Sequence, residues 1–162
     1  MAKHIIFVRH GKSSWELEVN DKDRPLKERG IKDAHLVAQE MKSLGLDIDA
    51  VFSSPANRAL HTCMIIMRRL ELDLGLVKVT SRVYDFSGAE LFDFLKSLPD
   101  TLTTVMVFGH NYAFTNLVNQ LGNKYIENVP TSGMVKIDFE IEHWKDLADG
   151  QTRKTIFPKQ LK

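Results

Sequence analysis

The sequence contains a single cysteine, Cys63, so it can form no internal disulfide and offers no cysteine cluster for structural zinc. The apolar stretch 5–8 is too short for a signal peptide, and no apolar run reaches the roughly 18 residues of a membrane span. Charge of one sign is not in excess, because 22 basic residues accompany 21 acidic ones. We therefore expect a soluble, cytoplasmic protein that binds neither membranes nor nucleic acid.

Motifs for nucleotide cofactors and metal ions are also missing. The sequence has no GxGxxG and no GxxxxGK[ST] loop. Four histidines, His4, His35, His61 and His143, have no partners at metal-ligand spacing. We therefore predict no cofactor and no metal. The chain has 162 residues, of which 43% are hydrophobic and 27% charged, as is typical of one globular domain. We expect that domain to span residues 1–162.

Short β-rich runs alternate with amphipathic helical patterns along the chain. The pattern predicts strands over 4–8, 50–53, 77–83, 104–108, 135–141 and 153–157. It predicts helices over 29–44 and after three start signals: Ser54-Pro55 with Ser54 as N-cap, a capping box at 87–90, and Asn111. Such alternation is typical of the α/β class, here a three-layer α/β/α sandwich around a mostly parallel sheet.

Polar clusters follow three of the predicted strands, at the ends where α/β sheets bind ligands. They are Arg9-His10-Gly11, Ser53-Ser54-Pro55 with Arg58, and Gly109-His110-Asn111. Arginine binds phosphate through two parallel hydrogen bonds, and histidine is a nucleophile and proton carrier near neutral pH. Each of these residues taken alone is more often structural. Two arginines and two histidines on one rim, however, favour phosphoryl transfer.

The clusters resemble, in order, the motifs of the histidine phosphatase superfamily, which has the phosphoglycerate mutase-like fold. Arg9-His10-Gly11 resembles the RHG signature, and the segment from Ser53 to Thr62 resembles SSPxxRAxxT. Asp23-Arg24-Pro25-Leu26 and Gly109-His110 resemble further motifs of the family. In its short length and its RHGKS start, the chain resembles the SixA-type phosphohistidine phosphatases. Larger members of the superfamily carry insertions that build a lid over the site, and this chain has little room for such an insertion.

The resemblance implies a role for each matched residue. His10 would be the nucleophile that becomes phosphorylated, and His110 would stabilise charge in the transition state. Arg9 and Arg58 would bind the phosphoryl oxygens. Because His10 must be neutral and His110 helps most when protonated, we expect their pKa values to be pushed apart. Three neighbours are candidates for further phosphate contacts: Gly11, Ser13 and Asn111.

The general acid has no clear match in the sequence. Many members of the superfamily place a glutamate after the third strand, where the nearest carboxylate here is Asp85. Glu16 and Asp21, on the loop after His10, are alternatives. A phosphohistidine substrate relaxes the need for an acid because its P–N bond is labile, whereas an ester needs its leaving alkoxide protonated. The missing acid therefore favours phosphoramidate substrates.

The sequence thus predicts a metal-independent phosphatase with a phosphohistidine enzyme intermediate. Its expected partner is a phosphorylated substrate, namely phosphohistidine on another protein. Two alternatives stay open. One is a small-molecule phosphomonoesterase that uses the same site, and the other is a non-catalytic module that binds phospho-ligands.

Overall fold

The computed structural model describes residues 2–162 and builds them around a six-stranded sheet. The strands are β1 (Lys3–Arg9), β2 (Ala50–Ser53), β3 (Val77–Val79), β4 (Thr104–Gly109), β5 (Met134–Phe139) and β6 (Gln151–Ile156). The helices are α1 (Glu28–Lys42), α2 (Asn57–Arg69), α3 (Ala89–Lys96) and α4 (Ala113–Leu121). Within this range, no helix has both the length and the apolar character that a bilayer crossing requires.

The strand order is β3-β2-β4-β1-β5-β6. The first four strands in this order run parallel, whereas β5 and β6 are antiparallel to their neighbours. Arg9 pairs with Gly109 in register, and Ser53 pairs with Phe108, so β1, β2 and β4 end at one edge of the sheet. The mostly parallel α/β sandwich is confirmed, and the three polar clusters begin at the same edge.

Helices cover both faces of the sheet, which explains why β1 is an unbroken apolar run. Ile6 and Val8 pack against α1 and α2, while Ile5 and Phe7 pack against α3 and α4. Cys63 lies in the first of these layers, where burial raises the pKa of its thiol to about 12. This cysteine is therefore a core residue with little thiolate character.

The third strand is shorter than predicted. It ends at Val79, and Thr80 begins a 3₁₀ turn over Ser81–Val83 because its hydroxyl accepts a hydrogen bond from the Arg82 amide at 3.2 Å. Such side-chain hydrogen bonds offer the backbone an alternative to the sheet. The turn brings the following residues, including Tyr84, back towards the strand ends.

Two predicted helix starts are also wrong. Helix α2 begins at Asn57, and Ser54 accepts a hydrogen bond from the Ala56 amide without capping the helix. Helix α3 follows Gly88, which has a φ of 108°, and the predicted capping box is absent. The Glu90 carboxylate lies 2.6 Å from Arg82 Nε. Helix α4 ends at Leu121, and the amide of Gly122, its C-cap residue, donates to the Val118 carbonyl.

Candidate active site

Backbone hydrogen bonds fix the position of the Arg9-His10 pair at the end of β1. The His10 amide donates to the Gly109 carbonyl of β4 at 3.1 Å. On the other side, the Ser132 amide donates to the carbonyls of both Arg9 and His10, at 3.1 and 3.0 Å. The pair is therefore held between β4 and the segment that leads into β5, which limits the movement of both side chains.

The loop after His10 is held by the segment that carries the Asp23-Arg24-Pro25-Leu26 motif. The Ser14 amide donates to the Pro25 carbonyl, and the Lys27 amide donates to the Lys12 carbonyl, each at 2.8 Å. Helix α1 lies against this loop at Gly30, where a Cβ atom would be 2.3 Å from the Lys12 carbonyl oxygen. Glycine is needed there because any side chain would push the loop away from the helix.

The His10 ring is buried and its proton position is defined by its neighbour. Its Nδ1 lies 2.7 Å from the Gly11 carbonyl oxygen, which can only accept, so Nδ1 carries the hydrogen. Burial, followed by the nearby His110, Arg9 and Arg58, lowers the pKa of His10 to about 3, despite the opposing effect of the Gly11 hydrogen bond. The ring is therefore neutral at physiological pH, and Nε2 keeps a free lone pair.

Arg9 and Arg58 bring two guanidinium groups to the cleft that contains His10. Arg9 donates from Nη1 to the Val129 carbonyl at 2.9 Å, and Arg58 donates from Nη1 to the Asp21 carbonyl at 2.7 Å. The Nε atom of each arginine is buried and has no hydrogen-bond partner among residues 2–162. An unsatisfied buried donor costs about 1–3 kcal/mol, so neither arginine is fully satisfied by its protein contacts.

His110 lies beside His10, with 5.3 Å between the ring centroids. Its Nδ1 is 3.4 Å from Arg58 Nη2, which can only donate, so Nδ1 is the acceptor. Its Nε2 therefore carries the hydrogen and donates to Ser54 Oγ at 2.8 Å. Burial, followed by the Arg58 charge, lowers the pKa of His110 to about 3, and the carboxylates Asp21 and Asp85 only partly offset this.

The expectation that the two pKa values diverge is thus wrong, because both rings are buried beside the same arginines.

We expect neither ring to become protonated between about pH 8 and about pH 5. Ring NMR spectra, assigned with His10→Asn and His110→Asn variants, measure this. Tungstate, a dianion, should raise the pKa of His110 by stabilising its cation. A ring that titrates near its ordinary pKa without tungstate would contradict this assignment.

Asp85 does not lie in the cleft that contains His10, and its carboxylate is used elsewhere. Its Oδ2 accepts hydrogen bonds from the amides of Gly88 and Leu91, each at 3.0 Å, at the start of α3. Burial acts to raise the pKa of Asp85, but these backbone hydrogen bonds outweigh it and lower the pKa. An ionised carboxylate that caps a helix has no proton to donate, so the assignment of Asp85 as general acid is corrected.

The three further candidates for phosphate contacts are placed differently from one another. Ser13 lines the cleft, and its hydroxyl accepts a hydrogen bond from Arg24. The Gly11 amide instead donates to Thr62 Oγ1 at 2.9 Å. The Asn111 side chain is engaged at the start of α4, where its oxygen accepts from the Thr115 amide at 3.0 Å. Ser13 is therefore the one of the three whose side chain faces the cleft.

The sequence reasoning underestimated Asp21 and missed Tyr84 as parts of this site. Asp21 Oδ2 accepts from Arg58 Nη2 at 2.9 Å and from the Tyr84 hydroxyl at 2.5 Å. Trp15 and Phe86 flank the mouth of the cleft, which has a volume of about 310 Å³. The sequence signal for these residues is weak, because they come from loops without periodicity. The cleft is lined by Arg9, His10, Lys12, Ser13, Trp15, Asp21, Arg24, Arg58, Phe86 and Thr131.

Comparison with known proteins identifies relatives for both the sequence and the fold. The family model "histidine phosphatase superfamily (branch 1)" matches residues 5–80. An uncharacterized protein of Mycobacterium tuberculosis is 28% identical over 88% of this chain and 93% of its own length. The 2,3-bisphosphoglycerate-dependent phosphoglycerate mutase of Actinobacillus pleuropneumoniae is 38% identical, but over only 39% of this chain and 29% of the mutase.

A solved structure is similar over the whole fold. It is the protein histidine phosphatase SixA complexed with tungstate, with a TM-score of 0.83, 22% identity, and coverage of 98% of this chain and 99% of that one. The chain therefore has a SixA-like fold. Its sequence similarity to the histidine phosphatase superfamily covers residues 5–80, which include His10 and Arg58.

Proposed function

We propose that the chain is a metal-independent phosphatase that forms a phosphohistidine intermediate on His10 and acts on phosphohistidine of a partner protein. The observation that carries the proposal is the protonation state of His10. Its Nδ1 carries the hydrogen and donates it to the Gly11 carbonyl oxygen, so Nε2 is unprotonated. Two arginines with unpartnered N–H groups lie beside this ring. A neutral nucleophile next to donors for an oxyanion is what phosphoryl transfer requires.

In the first step, the lone pair of His10 Nε2 attacks phosphorus and the bond to the leaving group breaks. Arg9 and Arg58 donate hydrogen bonds to the phosphoryl oxygens, where negative charge is concentrated. The bound dianion favours protonation of His110, which would then offer an additional donor next to Arg58. The phosphorylated His10 carries a hydrogen on Nδ1, which the Gly11 carbonyl already accepts.

In the second step, water attacks phosphorus and His10 is the leaving group. Because Nδ1 keeps its hydrogen, the ring departs as neutral imidazole and no separate acid has to protonate it. This step regenerates the starting tautomer of His10. The same logic extends to the substrate, since a phosphohistidine whose other ring nitrogen is protonated also leaves as neutral imidazole.

The carboxylates near the site favour phosphohistidine over alkyl phosphates. Burial acts to raise the pKa of Asp21, but hydrogen bonds from Tyr84, Arg58 and Arg24 outweigh it and lower the pKa to about 2. Asp85 caps α3. Neither residue is suited to protonate a leaving alkoxide at physiological pH. Trp15, which lines the cleft, is 75% exposed and is therefore available to contact a bulky substrate.

A paired assay tests the proposal. We expect a higher kcat/KM for a phosphohistidine protein than for para-nitrophenyl phosphate, with both activities unchanged by a metal chelator. The His10→Ala variant should lose both activities, whereas His61→Ala, which changes an exposed histidine of α2, should lose neither. Turnover of the ester alone would instead support the phosphomonoesterase alternative. Binding of phosphate without turnover of either substrate would support the binding-module alternative.

A further inference from the structure

Asp21 places a fixed negative charge in a cleft whose other charged residues are mostly cationic. Its Oδ2 is bound by Arg58 and Tyr84, and its Oδ1 lies 3.3 Å from Arg24 Nη1. These hydrogen bonds outweigh burial and hold the pKa of Asp21 at about 2, so the group stays ionised. A carboxylate repels the phosphoryl dianion that the arginines attract. Its position therefore points to a positive group elsewhere on the substrate.

The open side of Asp21 faces the mouth of the cleft. Its side chain is 41% exposed, and Oδ1 has only the long contact with Arg24, so this oxygen keeps lone pairs for a substrate group. Oδ2, in contrast, is the oxygen that anchors Arg58. The carboxylate is thus able to hold the arginine with one oxygen and face the leaving group with the other.

An aromatic surface adjoins this carboxylate. Tyr84, which donates to Asp21, packs edge-on against Phe86 with 5.0 Å between the ring centroids. Phe86 in turn lies 4.9 Å from the His110 ring and is 45% exposed at the mouth. An aromatic ring and a carboxylate together form a favourable environment for a flat organic cation. A protonated imidazole is such a cation.

We propose that Asp21, supported by Phe86, selects substrates whose leaving group is a protonated imidazole and disfavours substrates whose leaving group departs as an anion. This inference rests on the proposed function and names the residue that sets its preference for phosphohistidine. The Asp21 carboxylate stabilises the positive charge on the substrate ring without giving or taking a proton.

The balance of the step follows from the protonation states. The substrate ring carries phosphorus on one nitrogen and a hydrogen on the other, and is therefore cationic. His10 Nε2 forms the new N–P bond while the N–P bond of the substrate breaks. The electron pair of the broken bond stays on the departing nitrogen, so the substrate ring leaves as neutral imidazole. The positive charge passes to phosphorylated His10, whose Nδ1 keeps its hydrogen and donates it to the Gly11 carbonyl oxygen.

Two matched variants separate this role from simple support of Arg58. In Asp21→Asn, the amide oxygen still accepts from Arg58 and Tyr84, but the negative charge is lost. Asp23→Asn removes one charge from the same 3₁₀ turn at an exposed position outside the cleft. The probes are phosphohistidine and para-nitrophenyl phosphate, which releases an anion. Steady-state kcat/KM is measured for both substrates.

We expect Asp21→Asn to lower the ratio of kcat/KM for phosphohistidine to kcat/KM for the ester by about tenfold. Asp23→Asn should change neither rate. A second variant, Phe86→Leu, should shift the ratio of the two rates in the same direction by a smaller factor. Equal loss of both activities in Asp21→Asn would show that Asp21 only positions Arg58, and would overturn the inference.

The test also distinguishes this inference from the proposed function. If the wild-type protein hydrolyses the ester but not phosphohistidine, the proposed function is wrong and the inference fails with it. If the wild-type protein hydrolyses phosphohistidine and Asp21→Asn keeps the ratio of the two rates, only the inference fails. Thermal unfolding of each variant verifies that the compared proteins are folded.

Discussion

Replacing His10 with alanine is expected to lower kcat by at least about a thousandfold and to abolish formation of a phosphorylated enzyme. The reason is that His10 Nε2 supplies the electron pair that attacks the substrate phosphorus in the first step of the proposed mechanism. The residual rate would come from water attacking a phosphoryl group still bound by Arg9 and Arg58. Rapid quenching with a ³²P-labelled phosphoramidate measures the phosphoenzyme directly.

The controls for this prediction follow from the position of the two histidines. His110→Ala should still form the labelled intermediate, though more slowly, because its ring contacts Arg58 and Ser54 and carries no attacking lone pair in the mechanism. The label in the wild-type protein should be lost in acid and retained in alkali, as expected of a phosphoramidate. A His10→Ala protein that still becomes labelled would rule out His10 as the nucleophile.

Much of the fold was predictable because its central strands are buried on both faces. Such strands appear in the sequence as short continuous apolar runs, and β2 was predicted with its observed bounds, Ala50–Ser53. The errors lie where a side chain hydrogen-bonds to the backbone nearby. Thr80 ends β3 early in this way, and Asp85, not Ser87, accepts from the Leu91 amide in the first turn of α3. Such local competition leaves no periodic signal.

The candidate site was predictable to the extent that topology creates it. Arg9, His10 and His110 meet because parallel strands end at one edge of a sheet, which the sequence pattern implies. Asp21 and Tyr84 are 63 residues apart and meet only through the folding of two loops. No spacing rule connects them, and the carboxylate of the site was assigned to Asp85 because it is the nearest carboxylate after the third predicted strand.

The protonation states of the histidines depended on information that the sequence does not contain. A functional requirement for one neutral and one protonated ring suggested divergent pKa values. In the structure, burial and the charge of neighbouring groups lower the pKa of both His10 and His110. In the proposed mechanism, protonation of His110 therefore depends on the anion that enters the cleft. This couples substrate binding to the charge that stabilises the transition state.

Replacing Arg58 with methionine is expected to separate activity from stability. The variant should lose about 100- to 1,000-fold in kcat/KM, because it removes a fixed donor to the phosphoryl oxygens. Its free energy of unfolding should change by no more than about 1 kcal/mol. The Arg58 side chain is only 3% exposed, and its Nε has no hydrogen-bond partner among the described residues. Burial is the main cause of the lowered pKa of Arg9, and the nearby Arg58 charge lowers it further, which shows that the two cations repel each other. We expect these unfavourable contributions to offset the hydrogen bonds that Arg58 donates to Asp21.

Methionine is the suitable replacement because it fills the space of the arginine stem without its charge. Asp21, which loses its ion pair in this variant, is 41% exposed and can be solvated by water. Arg68→Met, on the exposed side of the same helix, is the matched control and should change neither quantity. Thermal and urea unfolding, measured beside steady-state kinetics, provide the comparison. A loss of stability as large as the loss of activity would mean that Arg58 holds the fold together, and would contradict its proposed role in binding the phosphoryl group.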